Sequence, residues 1–345
     1  MIDAAFQSQW TSRRGYLNTT SYGLPPRSTV AALRKVLGEW QDGACPWEDW
    51  EVCVGQARDL FALLVNVTPD TVATGAAVSQ LLAPIAAAIP AGSRVVVPVE
   101  EFTSNLFPYL VQAHRGVEVV TVPAAELLSA IDERADVVAF SLVQSASGTI
   151  ARLDKLLAAC RANGALSIVD ATQAVGWQPV DASGVDVLLC AAYKWLMAPR
   201  GVAFAVVRPE IADRIPPLAA GWYAGEDFHQ SYYGPPLRLA SDARRFDISP
   251  AWFCWVGAVP SMRTLLDAGI DAVHEHNVGL ANAFRTALDL PVSDSAIVSC
   301  DIDAAASERL AAANVSSAVR AGRVRLAFHL YNTMADVELA ADAIR

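Results

Sequence analysis

Basic residues are the minority charge in this chain: Lys and Arg number 26 against 36 Asp and Glu, a formal net charge of -10 over 345 residues. Proteins that grip phosphate backbones show the opposite balance. The only basic clusters are Arg13–Arg14, Arg244–Arg245 and Arg320/Arg323/Arg325, so no nucleic acid partner is expected. Histidine is scarce, at five residues, and the one close pair, His274 and His276, stands two apart. On a helix that spacing sends the rings to different faces, which predicts a solvated surface and no metal site. HExxH, P-loop, GxGxxG and GxSxG patterns are all absent, which argues against metalloprotease, nucleotide-hydrolase and serine-hydrolase chemistry. The six cysteines, Cys45, Cys53, Cys160, Cys190, Cys254 and Cys300, form no CxxC pair and read as reduced thiols. Long apolar runs are also missing. The longest uncharged stretch, Thr71 to Ser93, could span a bilayer by length, but Pro84, Pro90, Gly92, Ser79 and Gln80 interrupt it. It reads as a buried helix and loop, with no membrane partner. The opening Met1-Ile2-Asp3 has neither the basic nor the apolar region of a secretory signal, and the expected compartment is the cytoplasm.

What is present is a large core and a regular alternation. Hydrophobic residues make up 53% and charged residues 18%, ample for burial and the reverse of a disordered composition. A single core rarely grows past roughly 250–300 residues, so two domains are expected: a large one over 16–255, and a small one from 1–15 and 256–345. Strands are predicted at Arg94–Val99, Val117–Val122, Val137–Val143, Leu166–Asp170, Val185–Cys190 and Gly201–Val207. Helices are predicted between them at Ser104–Ala113, Ala125–Glu133 and Leu153–Asn163. The strands are near-continuously apolar, as strands buried on both faces of a mainly parallel sheet must be. The class is therefore α/β. Beyond Trp255 the texture changes to long helices at Ser261–Glu275 and Val278–Leu288, short strands at Ile297–Asp301 and Val324–Phe328, and a last helix behind a Thr333-x-x-Asp336 capping box.

Two strand ends carry chemistry. Leu166–Val169 runs into Asp170, and the strand ending at Cys190 leads to Tyr193-Lys194-Trp195. Open α/β sheets bind ligands at the carboxyl ends of their strands. A lysine in apolar company has a lowered pKa and a nucleophilic neutral amine. Asp followed 24 positions later by Lys, each just after a strand, suits pyridoxal phosphate (PLP): the lysine bonds the aldehyde, and the aspartate keeps the pyridine nitrogen protonated.

Four further segments extend this pair: Tyr16-Leu17-Asn18-Thr19-Thr20-Ser21-Tyr22-Gly23, Thr74-Gly75-Ala76-Ala77, Glu101-Phe102-Thr103-Ser104-Asn105, and Arg325-Leu-Ala-Phe-His-Leu-Tyr331-Asn332-Thr333. With them the chain resembles, over nearly its whole length, the PLP-dependent class V aminotransferases, which include cysteine desulfurases and kynureninases. The resemblance implies a type I PLP-enzyme fold with a mainly parallel seven-stranded sheet and a smaller α+β unit. It also implies a homodimer with active sites shared between subunits. It gives Lys194 and Asp170 the catalytic roles. Gly75, Ala76 and Ala77 open a helix whose free N–H groups take the phosphate, helped by Tyr193 and by Ser249 from the neighbouring subunit. Phe102 stacks on the pyridine ring, and Gln173 bonds the phenolic oxygen. Arg325 takes the substrate carboxylate through a bidentate fork, with Ser21, Tyr22, Gln144 and Ser145 on the substrate side.

The chain departs from desulfurases in one respect. The stretch before the terminal Arg element, Asn314 to Arg323, contains no cysteine, and Cys300 lies further back in a strand. A lyase that releases its sulfur product fits better than one that captures it as a persulfide. Within the family the chain most resembles the hercynylcysteine sulfoxide lyases of ergothioneine formation, which implies an amino-acid sulfoxide substrate. Two aromatic, acidic stretches, Trp47–Glu51 and Trp222–Tyr233, could then form a cage for that substrate's trimethylammonium group. The alternatives are another class V activity (desulfurase, kynureninase or epimerase) and a non-catalytic binding protein on the same fold.

Overall fold

The computed structural model describes residues 2–11 and 13–345. Seven strands form one sheet: β1 (Val72–Gly75), β2 (Arg94–Pro98), β3 (Glu118–Val122), β4 (Val137–Ser141), β5 (Leu166–Asp170), β6 (Val187–Ala191) and β7 (Ala203–Val207), in the spatial order β1-β7-β6-β5-β4-β2-β3. β7 pairs antiparallel with both β6 and β1, and the other pairings are parallel. All strands but β7 therefore end on the same edge. Alternate residues of the buried strands feed two separate cores. Val138, Phe140, Val169 and Leu188 enter one, and Val137, Ala139, Ile168 and Val187 the other. This two-sided burial is the reason the strands read as unbroken apolar runs.

β1 is an addition to the sequence reading of Thr71–Ser93. It has only four residues and breaks at Gly75 before the helix Val78–Ala88, too little pattern to separate from a helix. Two predicted helices differ as well. Thr103–Leu110 is α-helical, but Pro108 inside it removes a backbone donor, and the chain continues as a tighter 3₁₀ run, Val111–Arg115. Residues Ala124–Ala130 form a 3₁₀ run in place of an α-helix.

The small sheet is antiparallel, ordered β8 (Ile297–Cys300), β10 (Arg323–Ala327), β9 (Ala318–Arg320), with its own core built around Phe284, Leu326 and Phe328. The helices before it are Trp252–Ala268 and Ile270–Ala287, separated at left-handed Gly269 (φ 77°) and not after Glu275. Residue 255 lies within the first of these, whose Trp255, Met262 and Leu265 belong to the large core. The Thr333–Asp336 capping box forms as read.

His274 stacks on the buried Trp177 at 5.8 Å, and His276 Nε2 lies 3.1 Å from Asn332 O. His274 thus packs against the large unit and His276 against the segment after β10, and neither is a solvated surface group. Among the described residues no cluster of His, Cys, Asp or Glu could hold a metal, and no helix is long and apolar enough to cross a membrane.

The N-terminal segment laces the two units together. Gln7 Nε2 donates to Leu330 O and Asn332 O, Leu17 N donates to Ser316 O, and Ala327 N donates to Leu17 O. Gly23 N donates to Tyr193 O, and a Cβ at Gly23 would lie 2.0 Å from Lys194 O. Only glycine allows this approach.

Candidate active site

The shared strand edge opens into a cavity of about 250 Å³. β5 delivers Asp170, and the turn after β6 delivers Tyr193 and Lys194. The turn after β1 delivers Ala76 and Ala77, and the loop after β2 delivers Phe102.

Lys194 is buried. Its amine carries no hydrogen bond or ion pair from the described residues, and sits 5.5 Å from the Phe102 ring centroid and 5.7 Å from that of Tyr193. Burial pulls its pKa down from 10.5 to about 8, against the attraction of Asp170 and with help from the positive charge of Arg325. A substantial neutral fraction is the state a nucleophilic amine needs. Asp170 lines the cavity and accepts from Thr172 N at 2.8 Å through Oδ1, with the Thr172 side chain also hydrogen-bonding the carboxylate. Burial raises its pKa, opposed by Thr172 and Lys194. A buried carboxylate at the cavity wall is the acceptor a protonated ring nitrogen requires.

A Cβ at Gly75 would crowd the side chains of Gln80 and Leu81, and Gln80 Oε1 accepts from Ala76 N at 3.1 Å. The helix Val78–Ala88 has no side-chain cap, and while Gln80 N and Leu81 N donate to Ala77 O, the N–H groups of Val78 and Ser79 remain available for an anion. These features fit pyridoxal phosphate: an amine for the aldehyde, a carboxylate for the ring nitrogen, an aromatic face and an anion cradle.

Arg325 is the most unusual group. It is 1% exposed, stands behind Ser145 and not on the cavity wall itself, and has no carboxylate partner among the described residues. Nη1 donates to Ser145 O and, at 3.1 Å, to Ser145 Oγ; Nη2 reaches Ser21 Oγ at 3.4 Å; Nε is buried without a partner. Burial lowers its pKa to about 10, with Arg320 adding repulsion. Buried charges are normally paired, so this guanidinium is poised for an incoming anion. Ser145 reaches both Arg325 and the cavity.

Other predicted residues are placed differently. Gln173 lines the cavity, but its amide already donates to Thr20 O (3.1 Å) and Ser145 Oγ (3.2 Å) and accepts from Trp195 Nε1 (2.8 Å). Donation to a cofactor oxygen would cost it the Ser145 contact. Gln144 is not on the cavity wall, and its Nε2 donates to Glu101 Oε2 at 3.2 Å. Tyr22 is half exposed, against Tyr16 at 5.4 Å. Ser249 is exposed, away from its own chain's cavity. The two aromatic stretches merge into one cluster, with Trp47 lying 5.7 Å from Trp222 and 5.2 Å from Trp252. That cluster does not line the same chain's cavity.

Three groups went unassigned from sequence. Glu101 is buried and accepts from Ser141 N (2.6 Å), Ser141 Oγ, Phe102 N (3.0 Å) and Gln144 Nε2. It ties the Phe102 loop to β4, and burial raises its pKa. His329 lies between Trp195 O (3.0 Å) and Asn277 Nδ2 (3.1 Å). Arg200 lies on the cavity wall. Only Glu101 had a signal, as the neighbour of Phe102 in its motif.

The family model for aminotransferase class-V matches residues 49–308. An uncharacterized aminotransferase of Bacillus subtilis is 28% identical over 84% of this chain and 82% of its own length. A kynureninase of Deinococcus radiodurans is 26% identical over 78% and 70%. In structure, a cystine C–S lyase in complex with cysteine persulfide superposes with a TM-score of 0.86 at 18% identity, covering 96% of this chain and 98% of the other. The Escherichia coli cysteine desulfurase CsdA gives 0.84 at 19%, covering 99% and 97%.

Proposed function

Since this chain belongs to the class-V aminotransferase family, we propose that it is a PLP-dependent carbon–sulfur lyase acting on a cysteine S-conjugate sulfoxide, with hercynylcysteine sulfoxide as the specific substrate. The observation that carries the reading is Arg325, a buried guanidinium that has no carboxylate partner among the described residues and bonds Ser145 of the cavity wall. It matches the α-carboxylate of an amino acid. The cofactor supplies the electron sink for negative charge at Cα. Lys194, with its pKa near 8, takes the Cα proton as a neutral amine. Asp170 holds the proton on the ring nitrogen.

The Cβ–S bond then breaks with its electron pair leaving on sulfur, and the released R–S–O⁻ takes up a proton to become a sulfenic acid. The three-carbon remainder adds water to give pyruvate and ammonia. Asp170 is the only carboxylate on the cavity wall among the described residues, which suits a sulfoxide, whose sulfur departs without strong protonation. No cysteine lines the cavity among those residues either, and Cys190 and Cys300 are buried in strands with their thiols pushed up by burial. This supports release of the sulfur product over capture as a persulfide. The homodimer belongs to the same proposal. Ser249 and the Trp47–Trp222 cluster do not line their own cavity, so they reach an active site only across a subunit interface.

The test offers the purified holoenzyme a panel of S-substituted cysteines and their sulfoxides. Pyruvate and ammonia in equal amounts, fastest with the trimethylammonium-bearing sulfoxide, are expected. Alanine as the product would overturn the lyase reading. Equal kcat/KM for an analogue with a tert-butyl group in place of trimethylammonium would remove the aromatic cluster from substrate recognition.

A further inference from the structure

We infer that Arg200 is a ligand of the cofactor phosphate, supplying the fixed positive charge that the Gly75–Ala77 cradle lacks. The inference rests on PLP binding alone, not on the lyase reaction.

The cradle is poor in donors. Gly75, Ala76 and Ala77 have no polar side-chain atom, and Ala76 N is already spent on Gln80 Oε1. What remains is the N–H groups of Val78 and Ser79, the Ser79 hydroxyl and the Tyr193 hydroxyl, none of them a cation. A phosphate monoester carries a charge of about −1.5 to −2 at neutral pH, and no lysine or arginine stands at residues 74–80.

Arg200 lies on the wall of the same cavity as Ala76, Ala77 and Ser79. Its guanidinium stacks over the Tyr193 ring, 4.3 Å from the centroid, and Nη2 reaches Tyr193 Oη at 3.4 Å. No carboxylate pairs with it among the described residues. The stack fixes the plane of the fork while leaving its remaining N–H groups unspent, the arrangement that suits bidentate phosphate recognition. The residue is also anchored from behind: Cys254 Sγ donates to Arg200 O at 3.1 Å, and Gly201 follows at φ 109°. The turn from Lys194 to Gly201 thus carries both the amine that bonds the aldehyde and the cation that faces the phosphate.

The experiment titrates the apoprotein, in phosphate-free buffer, with PLP and separately with pyridoxal, which has the same aldehyde and ring but no phosphate. Binding is read from visible absorbance and tryptophan fluorescence. In Arg200→Ala the Kd for PLP should rise about 10- to 100-fold, the range for loss of a charge-assisted pair, while the Kd for pyridoxal stays within twofold of wild type. Arg200→Lys, which keeps the charge without the fork, should fall between. Equal weakening of both ligands would mean that Arg200 only supports Tyr193, and an unchanged PLP Kd would mean that the phosphate does not meet Arg200; either overturns the inference. Failure of wild-type protein to bind PLP would instead count against the cofactor assignment itself. Melting curves of the two apoproteins confirm that the exposed substitution leaves the fold intact.

Discussion

Arg325 and Asp170 are single residues whose surroundings leave one obligation open each. For Arg325 the open obligation is an anion. Replacing it with Lys keeps a charge but loses the planar fork, so KM for the amino-acid substrate should rise about 10- to 100-fold, with a smaller change in kcat; steady-state kinetics decide it, and an unchanged KM would take the carboxylate away from Arg325. For Asp170 the obligation is a proton on the facing nitrogen. Asp170→Ala removes the electron sink and should reduce kcat by at least about 100-fold while PLP still binds; near-normal turnover would refute the role. Both residues were legible in the sequence because they stand in motifs with strand ends. Glu101 and His329 were not. An acid in Val99-Glu-Glu-Phe102 looks like surface until the Ser141 backbone closes over it, and a lone histidine in an apolar strand exit gives no hint of Trp195 and Asn277 on either side.

At the scale of elements, the six longer strands announced themselves by composition, and β1 did not. Its position is set by a tertiary pair. Asp247 is buried, forms an ion pair with buried Arg58 at 2.6 Å, and accepts from Thr74 N at 2.7 Å, while Arg58 also donates to Val72 O. The strand that leads toward Ala76 and Ala77 is thus clamped by Arg58, 14 positions before Val72, and Asp247, 173 positions after Thr74. Asp247→Ala leaves a buried guanidinium uncompensated, and should cost about 3–5 kcal/mol of stability, read as a lowered denaturant midpoint. A change below about 1 kcal/mol would show that β1 is held by packing alone. The helix boundary at Gly269 was missed for a related reason: the apolar periodicity runs through it, and only the left-handed φ breaks the helix.

For the whole molecule, pH and assembly are the levers. His329 joins the exit of β10 to the Lys194 turn, and burial lowers its pKa from 6.5 to about 3. Below pH 6.5 the unfolded chain takes up a proton that the folded chain refuses, so this group costs nothing above pH 6.5 and destabilises progressively from 6.5 down to 3, by at most about 1.4 kcal/mol per pH unit. Glu101, Asp170 and Asp247, whose pKa values are raised by burial, act in the opposite sense. The measurement is therefore the difference in slope between wild type and His329→Gln over that range; parallel slopes would contradict the assignment. As for assembly, the proposed dimer predicts that Ser249→Ala, exposed in its own chain, weakens PLP binding several-fold without changing light-scattering mass. A fully active monomer would exclude shared sites.

The lacing of the N-terminal segment has a consequence for biogenesis. A ribosome delivers residues 7–23 well before their partners, which are Tyr193, Ser316, Ala327, Leu330 and Asn332. A nascent chain that has reached Gly201 already owns Asp170 and Lys194, but Gly23 has only the turn at residue 193 to settle on, and the arginine awaiting the substrate is still to be translated. The Arg325 side of the site therefore closes only after the chain has grown well past the residues that line the cavity, which end at Arg200.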